Sequence, residues 1–235
     1  MAKNNNRKKN ESSSSSKFIF WVIGLIAVGV LALIFLGNHT DDKKEEANKV
    51  KIDYRNQPYL GKESAPVSII EFGDYKCPNC KNFGSSVVPV IEKELVDTGK
   101  AKFYFFNDAF IYVDSTRSAK FAESVYEELG NETFWKFHEH LYSLQPKEQE
   151  KEKMDIYTED FLINALKNVA SETDVDKVVK NFRANKSKAA FDKDMDYAEK
   201  LGVTGTPTIF VNGKLFEGQT IDDLKDMVEK ATKGK

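Results

Sequence analysis

The chain has 235 residues, 40% of them hydrophobic, with 35 Lys and Arg against 37 Asp and Glu and only two cysteines, Cys77 and Cys80. Beyond residue 36 acidic residues outnumber basic ones 36 to 30, a net charge of about −6 that argues against nucleic acid or an anionic lipid surface as partner. The roughly 180 residues that follow a short linker suffice for one domain with a full core, or one domain with an insertion.

Residues 1–17 are rich in Asn and Lys, contain the run Ser12–Ser16 and have nothing to bury, so a disordered cytoplasmic tail is expected. Residues 18–36, FIFWVIGLIAVGVLALIFL, carry no charge and no proline. At about 1.5 Å per residue they can cross a hydrocarbon core of about 30 Å. Lys3, Arg7, Lys8, Lys9 and Lys17 precede the run against Glu11 alone, and DDKKEE follows it. That bias keeps the N-terminus in the cytoplasm and predicts a single-pass membrane protein whose part beyond residue 36 is extracytoplasmic. Leu36-Gly37-Asn38-His39 offers no small-residue cleavage pattern, so an uncleaved signal-anchor is expected. Residues 37–55 read as a charged linker and residues 56–235 as the folded part.

The folded part opens on a strand pattern, Val67–Phe72, bounded by Pro66 and Gly73. Cys77 follows, then a helical pattern to about Val96 with Val87, Val88, Ile91 and Leu95 on one face and Pro89 predicting a kink. Ala101–Phe106, AKFYFF, suits a strand buried on both faces, and a crossover of this length predicts that the two strands are parallel. From Ser115 to about Lys200 the period is helical, which predicts an α-helical insertion over about 113–200, with Thr158 and Thr173 as N-caps and a solvated loop over 147–153. Asn212-Gly213 between Thr208–Val211 and Lys214–Phe216 is a hairpin signal, and a last amphipathic helix is expected over Asp222–Ala231.

The chemistry centres on Cys77-Pro78-Asn79-Cys80. Closing so short a loop stabilises a fold by only about 2 kcal/mol, so the pair is better suited to making and breaking its bond than to stapling. A first sulfur at a helix N-terminus meets unpaired N–H groups and the helix dipole, making Cys77 the expected thiolate and Cys80, one turn on, the resolving thiol. Zinc would need two further ligands, and the chain offers only His39, His138 and His140; no metal is expected at the cysteines. His138 and His140 are instead expected to be exposed polar positions on a helix. Asp192, Asp194 and Asp196 imitate the start of a calcium loop, but Tyr197 and Val203 stand where Gly and Glu belong. A solvated helix face is the favoured reading there, with a structural calcium ion as its alternative. Tyr75, Phe110 and Tyr112 are candidates for an apolar surface facing unfolded chains, Tyr75 foremost.

The segments GKESAPVSIIEFGDYKCPNC and, about 125 residues later, GVTGTPTIFVNG resemble the DsbA family of thioredoxin-fold thiol–disulfide oxidoreductases, most nearly the membrane-anchored BdbD-type oxidases of Gram-positive bacteria. The resemblance covers about residues 60–232. It implies a thioredoxin-like α/β fold with an inserted helical domain, no required cofactor, and a cis-proline loop at Thr206-Pro207 packed against the CxxC, where backbone groups pair with an extended substrate. It also implies a DsbB-type, quinone-linked membrane oxidoreductase as the reoxidising partner. Glu71 stands six residues before Cys77, where thioredoxin-like proteins place a buried acid, and is expected to accept a proton from Cys80. Asn79 stands where the best-known oxidases of the family have His, so the motif lacks a positive charge at that point.

The expected activity is donation of the Cys77–Cys80 disulfide to newly exported, cysteine-containing proteins. Two alternatives share the fold: a membrane-tethered reductase or isomerase, and a redox-inactive holdase. Replacing Cys77 separates the second from the oxidoreductases, and a redox potential separates the first.

Overall fold

The computed structural model describes residues 50–147, 151 and 153–233. The predicted tail, the apolar run 18–36 and most of the linker lie outside the described residues; among those described, no helix is long and apolar enough to cross a membrane.

The described residues form five strands, β1 (Tyr59–Leu60), β2 (Val67–Gly73), β3 (Ala101–Asn107), β4 (Thr208–Val211) and β5 (Lys214–Leu215), in one sheet ordered β1-β3-β2-β4-β5. β2 lies parallel to β3, from Val67 opposite Ala101 to Gly73 opposite Asn107, and antiparallel to β4 on its other edge. A central strand covered on both faces is apolar at successive positions, and Ile69, Ile70 and Phe72 satisfy that need. Glu71 is the exception. Alternation puts it on the face shared by Val67 and Ile69, which packs with Phe103 and Phe105 in the larger core. Ile70 and Phe72 pack on the other face with Phe106, Phe210 and Leu201. β1, too short to show any alternation, has no sequence signal and pairs antiparallel with β3.

Helix α1 (Pro78–Ser86) begins at the cysteine motif, with Pro78 in the first turn, where its missing N–H costs nothing. The kink predicted from Pro89 is a full break: the chain restarts as α2 (Val88–Ile91), with Pro89 in its first turn, and widens to a π-helical turn over Glu92–Val96. Residues 113–200 form α3 (Val113–Ser143), α4 (Glu159–Leu166), α5 (Glu172–Arg183) and α6 (Lys188–Lys200). α3 bends at Gly130, whose φ of 76° and ψ of −172° are non-helical. Thr158 caps α4 by accepting from Phe161 N at 3.2 Å. Thr173 does not cap α5; Ser171 does, because its hydroxyl and the Asp174 carboxylate three residues on close a reciprocal pair. Within 147–153, Lys147 is exposed, and 148–150 and 152 lie outside the described residues. Asn212 and Gly213 take φ of 48° and 79°, the left-handed pair that a tight hairpin turn requires, and α7 (Ile221–Lys233) closes the fold.

Candidate active site

β2 delivers the cysteines through Gly73, where close approach forbids a side chain: a Cβ would sit 2.5 Å from the Phe105 ring and 3.1 Å from the Tyr142 hydroxyl. The next residues turn inward. Asp74 accepts from Lys76 N at 2.8 Å and from Phe110 N and Ile111 N at 3.0 and 3.1 Å, while its carbonyl accepts from Cys77 N at 2.9 Å. Lys76 is buried, and its ammonium donates to Asp114 Oδ2 at 3.0 Å and Met154 O at 2.8 Å, over the Tyr157 ring. Asp114 also accepts from Ile156 N and Tyr157 N, so this ion pair ties the cysteine loop to the insertion. Sequence reasoning missed Asp74, Lys76 and Asp114. Charged loop residues carry no signal that distinguishes an inward strut from a solvated one.

Cys77 is the N-cap of α1, and its sulfur accepts from Cys80 N at 3.4 Å. Both cysteines are free thiols. The Thr206-Pro207 bond is cis, and the Cys77 thiol donates to Thr206 O at 3.2 Å, so the late loop sits against the first cysteine. The Cys77 pKa falls to about 6. The Cys80 thiol is the largest cause; burial opposes it; Thr206 and the backbone N–H groups of Cys80 and Asn79 add to the lowering. The lowered value favours the Cys77 thiolate at neutral pH. Asn79 acts through its backbone while its side chain is exposed, so the position that lacks a positive charge still contributes a donor. Cys80 is fully buried, and burial, then its bond to Cys77, drives its pKa far upward.

Glu71 is 1% exposed, its Oε1 has no hydrogen-bond partner, and burial followed by repulsion from Cys77 raises its pKa to about 8. The same acid also raises Cys80. Its proton and the cysteine protons are therefore linked. Tyr75, expected at the surface, is 1% exposed: its hydroxyl meets His138 Nδ1 at 3.0 Å and its ring packs on Phe105 and Tyr142. An apolar ring two residues before Cys77 gains more from this aromatic cluster than from water. His138 is buried with it rather than exposed, and burial drops its pKa to about 3. His140 is half-buried. Phe110 and Tyr112 are exposed at 55% and 41%, on the segment whose backbone Asp74 holds.

Asp192, Asp194 and Asp196 occupy α6, not a loop. Asp192 pairs with Lys188 and Asp196 with Lys200, as a solvated face requires, but Asp194 is fully buried. It accepts from Gln57 Nε2 at 2.6 Å, Asn107 N at 2.8 Å and Asn107 Nδ2 at 3.1 Å, and Asn107 Nδ2 also donates to Glu123 at 2.7 Å. Gln57 Oε1 and Asn107 Oδ1 are left buried without partners. Among the described residues no three His, Cys, Asp or Glu side chains converge on one point as metal ligands.

A family model described as thioredoxin matches residues 53–230. The chain is 34% identical over 215 residues to the probable disulfide bond formation protein D of Bacillus cereus, covering 92% of this chain and 94% of that protein. Against disulfide bond formation protein D of Bacillus subtilis the identity is 33% over 199 residues, 84% and 87% of the two chains. Among solved structures, oxidised BdbD from Bacillus subtilis superposes with a TM-score of 0.70 at 35% identity, over 77% of this chain and 96% of that one. Chlamydia trachomatis DsbA matches with a TM-score of 0.65 over 80% and 98% of the two chains, at 22% identity, a likeness of fold alone.

Proposed function

Because the chain belongs to the thioredoxin-like DsbA family of thiol–disulfide oxidoreductases, we propose that it is an extracytoplasmic oxidase that donates its Cys77–Cys80 disulfide to newly exported proteins. The observation that carries this reading is the asymmetry of the pair: one cysteine at a helix N-terminus with its pKa lowered to about 6, the other sealed in the core with its pKa raised. A stabilised Cys77 thiolate favours the reduced form, which makes the disulfide a better oxidant.

A substrate thiolate attacks Cys77 Sγ; the Cys77–Cys80 bond breaks, and Cys80 leaves and takes up a proton. Glu71, protonated below about pH 8, is the group beside it that supplies that proton. A second substrate thiolate then attacks the substrate sulfur of the mixed disulfide, and Cys77 leaves as a thiolate. When Cys80 attacks instead, the original disulfide re-forms, the substrate thiolate departs, and Glu71 takes the proton back. The backbone of Thr206 and Pro207, beside Cys77, holds the substrate strand.

Reoxidation falls to a DsbB-type quinone-linked membrane protein, with residues 18–36 as the anchor that keeps the two in one plane. Protease treatment of intact and lysed cells tests the topology, with protection of residues 50–233 in intact cells as the contrary result. Calcium belongs to this reading as a structural ion, at a place other than a loop over Asp192–Asp196. Gln57 Oε1 and Asn107 Oδ1 are buried without partners beside the Glu123 and Asp194 carboxyls, hard oxygen donors of the kind calcium takes. A melting temperature indifferent to calcium and EGTA removes the ion.

Equilibration of the protein in glutathione buffers fixes the direction of transfer. The expected potential lies well above that of thioredoxin, about −270 mV; a value at or below it assigns the chain to reduction instead. Cys77→Ser abolishes thiol exchange in either case, and retention of activity by that variant indicates a holdase.

A further inference from the structure

A cavity of about 510 Å³ opens between the end of β3, α6 and the segment that leads to the cis proline, within the size range of ligand sites. Phe191, Met195 and Val203 give it apolar walls, and Asp108 and Glu199 line it with charge. Asp192 and Asp196 also border it, but these are already matched by Lys188 and Lys200. Asp108 is not matched. It is 7% exposed, and burial followed by repulsion from Asp74 raises its pKa to about 6, with no donor and no cation to oppose them. Its oxygens are nonetheless not among the polar atoms sealed in the interior, as one oxygen of Glu71 is, so they open onto the cavity. The Lys120 ammonium lies over the Phe191 ring at 5.3 Å and does not offset the Asp108 charge. A buried carboxylate without a partner is costly, and one aimed into a cavity marks a place for a donor. The surrounding carboxylates require that donor to be a cation. Apolar walls beside the charge suit a long basic side chain, which lays its methylenes on such a surface and carries its charge at the tip.

The cavity neighbours the exchange site. Asp108 N donates to Gly73 O at 2.9 Å, on the strand that delivers the cysteines, and Val203 lies three residues before Thr206, whose carbonyl accepts from the Cys77 thiol at 3.2 Å. A substrate strand held along Thr206 and Pro207 has this opening at its flank. We propose that the cavity takes an arginine or lysine side chain of the substrate polypeptide, close in sequence to the reacting cysteine, so that thiols in basic sequence are preferred. The proposal rests on the reading of Cys77 as the thiol that exchanges with polypeptides, and holds for either direction of transfer.

The probes are peptides with a single cysteine and one arginine placed in turn at each flanking position, each paired with a peptide carrying citrulline there, which keeps the shape of arginine without its charge. Their thiol exchange with the oxidised full chain in detergent micelles is followed at pH 7. At the position that meets the cavity, kcat/KM for the arginine peptide should exceed that for its citrulline partner at least about fivefold, through KM, and the excess should shrink as salt is raised. Asp108→Asn keeps the shape, loses the charge and should erase the preference. Should that variant fail to fold, Glu199→Lys serves: near the C-terminus of α6, where a cation is favoured, it sets a competing ammonium at the opening and should cut the preference at least about twofold. Equal rates for arginine and citrulline at every position, or a preference that survives the Asp108 variant (the Glu199 variant where that one does not fold), overturns the site and leaves thiol exchange standing. A preference that ignores where the arginine stands is the general pull of an acidic domain and overturns the site as well. Exchange with none of the peptides overturns the reading of Cys77, and the proposal falls with it.

Discussion

Glu71 and Asp194 are both sealed from solvent against the same sheet, yet the fold treats them in opposite ways. Asp194 receives three donors on its two oxygens, and these offset enough of the burial that its pKa rises only to about 6. Glu71 has an orphaned oxygen, no cation beside it, and a pKa of about 8. Hydrogen bonds to the charged form are what separate the two. A carboxyl wired on every side is a joint, here between the segment at Gln57, the end of β3 and α6. One left bare beneath two thiols carries a cost in stability that packing elsewhere must offset, and on the proposed mechanism it is kept there for its proton.

The contrast is tested first where the effect is largest. Asp194→Ala strands Gln57 Nε2 and Asn107 N, each costing about 1 to 3 kcal/mol when buried and unpaired, while Asn107 Nδ2 keeps Glu123, so a loss of about 2 kcal/mol or more is expected in urea titrations. The thiolate absorbance of Cys77 should titrate as in wild type, because Asp194 is not among the groups that set it. A loss under about 1 kcal/mol would remove the distinction between joint and proton store. Glu71→Gln is the converse experiment. It keeps the shape and deletes the exchangeable proton, so fold stability at pH 7 should rise, the cost of holding a carboxyl protonated being removed, while release of a mixed disulfide by Cys80, followed by stopped-flow quenching, slows at least about tenfold. An unchanged release rate would make Glu71 a passive core residue.

The pH dependence of stability sharpens the same contrast. The folded pKa of Glu71 lies above its unfolded value of about 4.5, so its contribution is complete below that value and is lost as pH rises through about 8. Cys77 in the reduced protein has the opposite sign: its folded pKa of about 6 lies below the unfolded value of about 9, so its contribution is complete above 9 and disappears as pH falls through 6. Between pH 6 and 8 the two should largely offset in wild type. Urea midpoints relative to wild type should therefore rise with pH over that window in reduced Glu71→Gln and fall in Cys77→Ser. Parallel curves for all three proteins would mean that the two groups do not titrate as assigned.

How far these features could be read from the chain depends on whether their cause is local. The strand before the cysteines, the parallel β3, the Asn212-Gly213 hairpin and the helix starting at Pro78 follow from periodicity and turn chemistry within a few residues. The inward struts do not. Asp74, Lys76 and Asp114 look like ordinary loop charges until β3 and the insertion arrive to receive them, across 36 to 42 residues of sequence separation. Asp194 misled for the same reason: its neighbours Asp192 and Asp196 do face solvent, and only the helix phase turns the middle one inward. The cysteine motif was legible because its chemistry is contained in four residues, whereas the proton store beneath it rested on a spacing borrowed from a resemblance and acquired a physical basis only from its burial.

The smallest effect concerns Tyr75, where a ring expected to touch substrate turned out to be core. Tyr75→Phe removes one hydroxyl from a cluster whose ring contacts with Phe105, Tyr142 and His138 persist, and leaves His138 Nδ1 without its partner at 3.0 Å. Because His138 is held neutral by burial, the lost bond is between neutral groups and is worth about 1 kcal/mol, a modest shift in the urea midpoint. Substrate turnover separates core from contact. A buried ring cannot distinguish one peptide from another, so the KM values of Tyr75→Phe for thiol peptides with aromatic and with hydrophilic flanks should keep the wild-type ratio. A changed ratio without a change in stability would put Tyr75 back at the surface in the working state of the enzyme, and would require the loop from Asp74 to Lys76 to open during turnover despite the struts that hold it.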